Sequence, residues 1–219
     1  MKFEAILFDC DGVLVDSEMI VNGVLRDLLE ARGWSMTVAD CMQVFLGKSV
    51  RDERVAIEAN TGLPLTEDWM VQFYQQRNQA LATHLQPIPG ARVAVEAGFA
   101  YTQQRIACAS GADRFKVEMM LSQVGLMEFF AGRIFSGHEM ARSKPAPDVY
   151  LAAARHLNVP PAQCLVIDDT PVGVTAGVAA GATVWGYCPL PENAPALLAA
   201  GAHELLRDMA ALPQMLAQA

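Results

Sequence analysis

Long apolar runs and positive charge are what this sequence has least of. No stretch approaches the roughly 20 apolar residues that a membrane-spanning helix requires, so we expect no membrane partner. Lysine and arginine together number 16 against 24 acidic residues, and the formal net charge is -8. Because a phosphate backbone attracts a basic surface, this balance argues against nucleic acid as a partner. We expect the protein in the cytoplasm.

Cysteine is also sparse, and its spacing argues against a disulfide-bonded protein and against a zinc site. The five cysteines are widely separated and include no Cys-x-x-Cys pair. An odd number without paired spacing is typical of reduced thiols rather than of disulfides or a zinc site. The four histidines show no metal-ligand spacing either, and the chain has no internal repeat or low-complexity tract.

Hydrophobic residues make up 53% of the chain, and their order alternates between strand and helix patterns. Short apolar runs predict strands at 6–8, 105–110, 133–137, 164–169 and 183–187. Helical patterns lie between the later strands, notably at 147–157 and 172–180. Such alternation implies right-handed βαβ crossovers. The predicted fold class is therefore α/β, a doubly wound, Rossmann-like parallel sheet with helices on both faces.

A helical insert interrupts this alternation after the first strand. Apolar residues at spacings of three and four predict an amphipathic helix that ends near Gly33. Three residues have the character of N-caps for further helices: Thr37, Ser49 and Thr66. We therefore expect two domains, a core formed by 1–15 and 86–219 and a helical domain at 16–85.

Polar groups stand where three of the predicted strands end. They are Asp9 and Asp11 after the first strand, Ser110 with Gly111 after the second, and Asp168 with Asp169 after a later one. Lys144 precedes a predicted helix and adds a cation. Each group alone has an ordinary interpretation as a turn, a cap or a solvated charge. Because the carboxyl ends of parallel strands line the ligand crevice, their joint placement predicts a site for phosphate and metal.

The predicted cluster of carboxylates requires a cation. Two carboxylates about 4 Å apart repel each other by roughly 4 kcal/mol at an effective dielectric constant of 20. Oxygen ligands that share a metal ion with phosphate and water suit Mg²⁺ better than Ca²⁺. Lys144 is expected to supply further positive charge, while the Ser110 hydroxyl and the Gly111 amide offer neutral hydrogen bonds to phosphate oxygens.

In this order, these residues resemble the four signatures of the haloacid dehalogenase-like (HAD) hydrolases. The signatures are Asp9-Cys10-Asp11-Gly12-Val13, Ser110, Lys144 and Asp168-Asp169. The insert at 16–85 resembles the helical cap of the family's first subfamily, so the resemblance spans nearly the whole chain. Within the family, the chain looks most like bacterial phosphatases of small sugar phosphates, including 6-phosphogluconate phosphatases.

The resemblance implies covalent phosphoryl transfer. Asp9 would attack phosphorus and form an aspartyl phosphate, and Asp11 would protonate the leaving group and then activate water. Mg²⁺ would be bound by the carboxylates of Asp9 and Asp169 and by the backbone carbonyl of Asp11, with Asp168 supporting them from behind. The serine and lysine of the second and third signatures would hold the transferring phosphoryl group.

Asp11 distinguishes among the chemistries of the family. Dehalogenases lack an acid at this position and phosphonate-cleaving members have alanine, so Asp11 favours a phosphatase. A β-phosphoglucomutase-like mutase is the alternative, although mutases typically carry a histidine where this chain has Ile20 and Val21. From another class, a non-enzymatic phospho-receiver or binding protein also combines acidic residues, a hydroxyl, a lysine and Mg²⁺.

Substrate choice is expected to depend on the cap. Lys48 and Arg51, at a predicted turn, are candidates to contact an anionic or polyhydroxyl substrate. A solvated helix start is an equally open interpretation of both residues. We expect the partner to be a small phosphorylated molecule and the protein to be a monomer or a homodimer.

Overall fold

The computed structural model describes residues 2–45 and 49–219, which divide into two compact units. Residues 1–16 and 87–219 form one, here called the core unit, and residues 17–86 form the other, the helical unit. Each change of unit along the chain falls one residue later than the sequence suggested. Among the described residues, no helix has the length and apolarity needed to cross a bilayer.

The helical unit is built from amphipathic helices around its own apolar core. Its helices are α1 (Glu18–Glu30), α2 (Val38–Phe45), α3 (Arg54–Thr61) and α4 (Glu67–His84). Leu25 and Leu29 of α1 pack with Ile57 and Phe73 in a buried cluster. This pairing of apolar faces is what spacings of three and four along each helix predict.

Two of the three predicted N-caps agree with the structure. Thr66 Oγ1 accepts a hydrogen bond from Trp69 N at 3.3 Å, and Thr37 Oγ1 accepts one from Asp40 N at 3.1 Å. The prediction for Ser49 is wrong, because α3 begins only at Arg54. The carbonyl oxygen of Ser49 instead accepts a hydrogen bond from the amide of Asp52 at 3.0 Å, so a turn precedes the helix.

The core unit contains a parallel six-stranded sheet, which confirms the α/β class. In chain order the strands are β1 (Ala5–Phe8), β2 (Val15–Asp16), β3 (Gln86–Pro87), β4 (Ile106–Ser110), β5 (Ile134–Ser136), β6 (Cys164–Asp168), β7 (Thr183–Tyr187) and β8 (Glu204–Leu206). The six-stranded sheet has the order β5-β4-β1-β6-β7-β8, and β2 pairs with β3 separately. The short edge strand β8 was not predicted from the sequence.

Helices cover both faces of this sheet. They are α5 (Ala91–Tyr101), α6 (Arg114–Gln123), α7 (Met127–Phe130), α8 (Asp148–His156), α9 (Pro171–Ala179), α10 (Ala194–Ala199) and α11 (Leu212–Gln218). On one face, Leu7 of β1 is buried in a cluster with Val149 of α8 and Val174 of α9. On the other face, the ring of Phe8 of β1 packs edge-on against that of Phe130 of α7, with the ring centroids 6.1 Å apart. Successive side chains of β1 therefore point to opposite faces of the sheet and pack against the helices on each side.

Candidate active site

The strands that carry the predicted site residues are neighbours in the sheet. β1 lies between β4 and β6, and all three run in the same direction. Asp9 directly follows β1, and its amide donates to the carbonyl of Ile167 at 2.9 Å. Ser110 and Asp168 are the last residues of β4 and β6. Parallel pairing therefore brings these three side chains to one edge.

Three carboxylates meet at this edge. One oxygen from each of Asp9, Asp168 and Asp169 lies within 4.8 Å of the others. Asp168 is completely buried, Asp9 is buried and Asp169 is partly exposed. An all-oxygen set of this kind has the chemistry of a site for a hard divalent cation, so these residues could hold such an ion.

Lys144 lies between two of the carboxylates. Its Nζ is 3.0 Å from Asp9 Oδ1 and 2.9 Å from Asp168 Oδ2. Burial alone lowers the pKa of Lys144, but the charges of Asp168 and Asp9 outweigh it and hold the pKa well above its ordinary value. Lys144 is therefore a buried ammonium group beside the proposed nucleophile.

Burial has the opposite sign for Asp9. It raises the pKa of this carboxyl, and although Lys144 lowers it, the neighbouring Asp168 and Asp11 bring the pKa to about 7. The charge of Lys144 thus does not compensate for the burial of Asp9 together with the negative charge of Asp168 and Asp11. Further positive charge at this edge would favour the ionised, nucleophilic form of the carboxylate.

The Asp168 carboxylate is surrounded by donors. Besides Lys144, it accepts from the Tyr150 hydroxyl at 2.6 Å and from both the amide and the hydroxyl of Thr170 at 2.9 Å. Gly173 lies so close that an added Cβ would collide with this carboxylate. These contacts suit a residue that holds its neighbours in place. Tyr150 and Thr170 were not identified from the sequence.

Asp11 has a lysine partner that sequence reasoning also missed. Lys116 Nζ donates to Asp11 Oδ1 at 2.7 Å, and both side chains are largely buried. The available signal was a basic residue in the first turn of a predicted helix, a position that the helix dipole disfavours. Its partner could not be identified, because 105 positions separate the two residues in the chain.

Carboxylates outnumber ammonium groups among the described residues of this edge. Among the residues that the structure describes, four carboxylates take part in its cluster and ion pairs, those of Asp9, Asp11, Asp168 and Asp169, with two ammonium groups, those of Lys116 and Lys144. When all six are ionised, four negative charges and two positive charges leave a net charge of -2. One divalent cation would neutralise that charge, which is a second reason why the residues fit a metal ion.

Ser110 and Gly111 lie in the loop between β4 and α6. Ser110 is buried, and its Oγ accepts the amide of Ala112 at 3.0 Å. Asp113 caps α6 by accepting the amide of Lys116 at 2.9 Å, so Ser110 does not serve as the N-cap. The contact of Ser110 with phosphate stays a prediction.

The two residues suggested for substrate choice have different outcomes. Lys48 lies outside the described residues. Arg51 belongs to the helical unit, where its guanidinium donates to both carboxylate oxygens of Glu67 at 2.6 and 2.7 Å. A substrate anion would have to share or replace this ion pair. Contact of either residue with substrate stays a prediction.

Gly12 offers a test of the position of Asp169. Its φ is +74°, and an added Cβ would collide with the Asp169 carboxylate. Gly132 has the same φ of +74° but has nothing within 4 Å of an added Cβ. Gly12→Ala is expected to lower kcat/KM about 100-fold, because small displacements of site groups cost about this much.

The matched control, Gly132→Ala, is expected to carry a similar backbone penalty of about 1–2 kcal/mol without loss of activity. Thermal melting and phosphate release would be measured for both variants. Equal activity of the two proteins would mean that the closeness of Gly12 and Asp169 has no bearing on catalysis.

Comparison with known proteins identifies relatives of this chain. A family model described as haloacid dehalogenase-like hydrolase matches residues 3–181. The 6-phosphogluconate phosphatase of Escherichia coli (strain K12) is 27% identical over 195 residues, covering 89% of this chain and 86% of its own. A phosphorylated carbohydrates phosphatase of Thermotoga maritima is 28% identical over 207 residues, covering 93% of this chain and 94% of its own.

A solved structure of this family shares the fold of this chain. A HAD family hydrolase from Deinococcus radiodurans R1, with bound phosphate and sodium, has a TM-score of 0.79 and 31% identity, and the match covers 99% of this chain and 96% of that one. The expectation of a hydrolase is confirmed, which argues against the non-enzymatic phospho-receiver. This chain belongs to the haloacid dehalogenase-like hydrolases.

Proposed function

We propose that this protein is a Mg²⁺-dependent phosphatase of small phosphorylated metabolites, acting through an aspartyl phosphate on Asp9. The substrate class is a sugar phosphate or a sugar-acid phosphate such as 6-phosphogluconate. The observation that carries the proposal is the position of Lys144, whose Nζ lies 3.0 Å from Asp9 and 2.9 Å from Asp168. A buried ammonium group beside a nucleophilic carboxylate suits a phosphoryl group better than a neutral substrate.

The reaction is divided into two displacements at phosphorus. In the first, a carboxylate oxygen of Asp9 forms a bond to phosphorus while the bond to the leaving oxygen breaks, and Asp11 gives its proton to that oxygen. In the second, Asp11 takes a proton from water, which attacks phosphorus and releases Asp9. Asp11 therefore ends each cycle protonated, as it began.

The other groups stabilise charge during both steps. Lys144 and the Ser110 hydroxyl would donate to the phosphoryl oxygens, where charge is spread in the transition state. Asp9, Asp169 and the carbonyl of Asp11 would hold Mg²⁺, with Asp168 fixing Lys144 behind them. The metal ion, when bound, would neutralise phosphoryl charge that the carboxylates otherwise repel.

The substrate class rests on resemblance to named relatives. The Escherichia coli protein is named for 6-phosphogluconate and the Thermotoga maritima protein for phosphorylated carbohydrates. These names favour hydrolysis over the mutase alternative. A mutase would also need to return the phosphoryl group to a second hydroxyl of the sugar rather than to water.

The test is a survey of purified protein with Mg²⁺ against sugar, sugar-acid and nucleotide monophosphates. We expect many phosphates released per protein molecule, fastest from a sugar or sugar-acid phosphate. Isomerised sugar phosphate without free phosphate would indicate a mutase. Release from none of the compounds, with the metal supplied, would contradict the proposal.

A further inference from the structure

Lys116 occupies a position that local energetics disfavour. It lies in the first turn of α6, where the positive end of the helix dipole repels a cation, and only 9% of its side chain is exposed. Burial of an ammonium group is costly without a charged partner. The contact that offsets both costs is the one with Asp11 Oδ1 at 2.7 Å. Helix formation does not explain this residue, whereas Asp11 does.

Hydrogen bonds of the neighbouring residues fix the backbone around Asp11, whereas the position of its carboxylate depends on side-chain contacts such as that with Lys116. Gly12 N donates to Val15 O at 2.9 Å, and the amides of Leu14 and Val15 both donate to Cys10 O, at 2.9 and 3.1 Å. These bonds hold the loop on either side of Asp11. Rotation about the side-chain bonds of Asp11 would still move its carboxylate relative to the sheet edge.

Lys116 is anchored to the same loop that presents Ser110. Its amide donates to Asp113, the N-cap of α6, at 2.9 Å, and Ser110 Oγ accepts from Ala112 in the preceding turn at 3.0 Å. One short connection thus carries a candidate phosphate ligand and the partner of Asp11. Their relative position is set by the loop and the start of the helix.

We propose that Lys116 is a positioning residue for the acid-base step, holding Asp11 Oδ1 so that Oδ2 is presented to the leaving oxygen and then to water. This inference rests on the proposed function, in which Asp11 transfers the proton. Lys116 itself forms no bond to substrate and exchanges no proton. Its contribution is to keep one carboxylate oxygen in place through both displacements.

Substrates whose leaving groups differ in their need for a proton can distinguish a role of Lys116 in positioning Asp11 from a role in binding the phosphoryl group. A sugar phosphate leaves as a basic alkoxide and needs the proton of Asp11, whereas nitrophenyl phosphate leaves as a stable phenolate and does not. Because kcat/KM includes only steps up to formation of the aspartyl phosphate, it reports the first displacement. Slow hydrolysis of the intermediate appears instead in kcat and in a burst of product.

The experiment compares Lys116→Met with the wild type on both substrates. We expect kcat/KM for the best sugar phosphate to fall about 100-fold, within the range of general acid catalysis, and that for nitrophenyl phosphate to change less than about threefold. A burst of about one nitrophenolate per enzyme is expected, because the intermediate then awaits an Asp11 that is poorly placed to activate water. Lys116→Arg should restore part of the loss.

A control and a double variant complete the test. Arg114→Met removes another first-turn cation of α6, one that pairs with Glu139 at 2.6 Å, and should leave both kcat/KM values unchanged. Lys116→Met added to Asp11→Ala should cause no further loss, because the two residues act as one unit.

The outcomes are distinguishable. An equal fall on both substrates would overturn the proposal and indicate that Lys116 binds the phosphoryl group. Unchanged activity on both would also overturn it and leave Lys116 as a structural ion pair. If wild-type protein releases phosphate from neither substrate while folded and supplied with Mg²⁺, the proposed function fails instead.

Discussion

Asp9→Asn is expected to abolish phosphate release while leaving the protein at least as stable as the wild type. The amide is nearly isosteric with the carboxylate but is a poor nucleophile, so no aspartyl phosphate can form at a useful rate. Loss of a nucleophile that acts with other groups costs at least about 10³-fold in kcat. Release of phosphate and covalent labelling by phosphate would be measured together.

The stability of this variant follows from the environment of the carboxylate. Burial, opposed by Lys144, raises the pKa of Asp9 to about 7, so the folded protein on balance disfavours the charged form. A neutral amide removes that cost, and Lys144 keeps its contact with Asp168 at 2.9 Å. We therefore expect an equal or higher melting temperature in metal-free buffer.

The control for Asp9→Asn is Asp27→Asn, at a side chain that is 66% exposed in the helical unit. It makes the same chemical change away from the cluster and should retain wild-type activity. Two results would contradict the proposed mechanism: an Asp9→Asn protein with more than about a tenth of wild-type kcat, or the same loss in both variants.

Removal of divalent metal is expected to have the next largest effect. Chelation should lower phosphate release at least about 100-fold, and Mg²⁺ should restore it, because four carboxylates face two ammonium groups among the described residues of the sheet edge. Metal at about 100 times its Kd should stabilise the fold by about 2.7 kcal/mol. For a chain of this length that corresponds to a rise of roughly 5–10 °C in melting temperature.

The size of this stabilisation should depend on pH. The pKa of Asp9 is raised from 3.8 to about 7 in the metal-free protein, so the folded state holds a proton there that the unfolded state has lost. Between these values the metal-free protein therefore loses stability as pH rises. Since protons compete with the metal for this carboxylate, the stabilisation by Mg²⁺ should be larger at about pH 8 than at about pH 5.

Asp169→Asn provides the matched variant for the metal experiment. It removes one charge from the cluster and should lose most of the rise in melting temperature, whereas Asp27→Asn should keep it. Full activity in the presence of excess chelator would contradict a metal-dependent mechanism. A melting temperature that responds to Mg²⁺ equally in all three proteins would place metal binding elsewhere.

The edge of the sheet was predictable because strand ends follow local patterns. Apolar runs that end at Asp9, Ser110 and Asp168 indicate parallel strands, and parallel strands deliver their last residues to one edge. Lys144 was selected as a cation just ahead of a predicted helix, and the resemblance then gave it as the third signature. The sequence likewise indicated the helical insert. The N-cap predicted at Ser49 was wrong, because the helix that follows begins only at Arg54.

Contacts made by helices were not predictable in the same way. Tyr150 reaches Asp168 across 18 positions, and Lys116 reaches Asp11 across 105, both through turns of helices that pack beside the sheet. Neither residue follows a strand directly, and the spacing of neither along the chain indicates which carboxylate it contacts. Their roles depend on how far a side chain extends from a helix whose position is decided by packing.

The amino-acid sequence by itself determined the α/β class, the helical insert and which carboxylates stand at strand ends, because each is written in residues close together in the chain. Tertiary structure alone decided that Lys116 pairs with Asp11. Ion pairs form between side chains that come within about 4 Å, and that distance is set by packing of the helices on the sheet rather than by order along the chain.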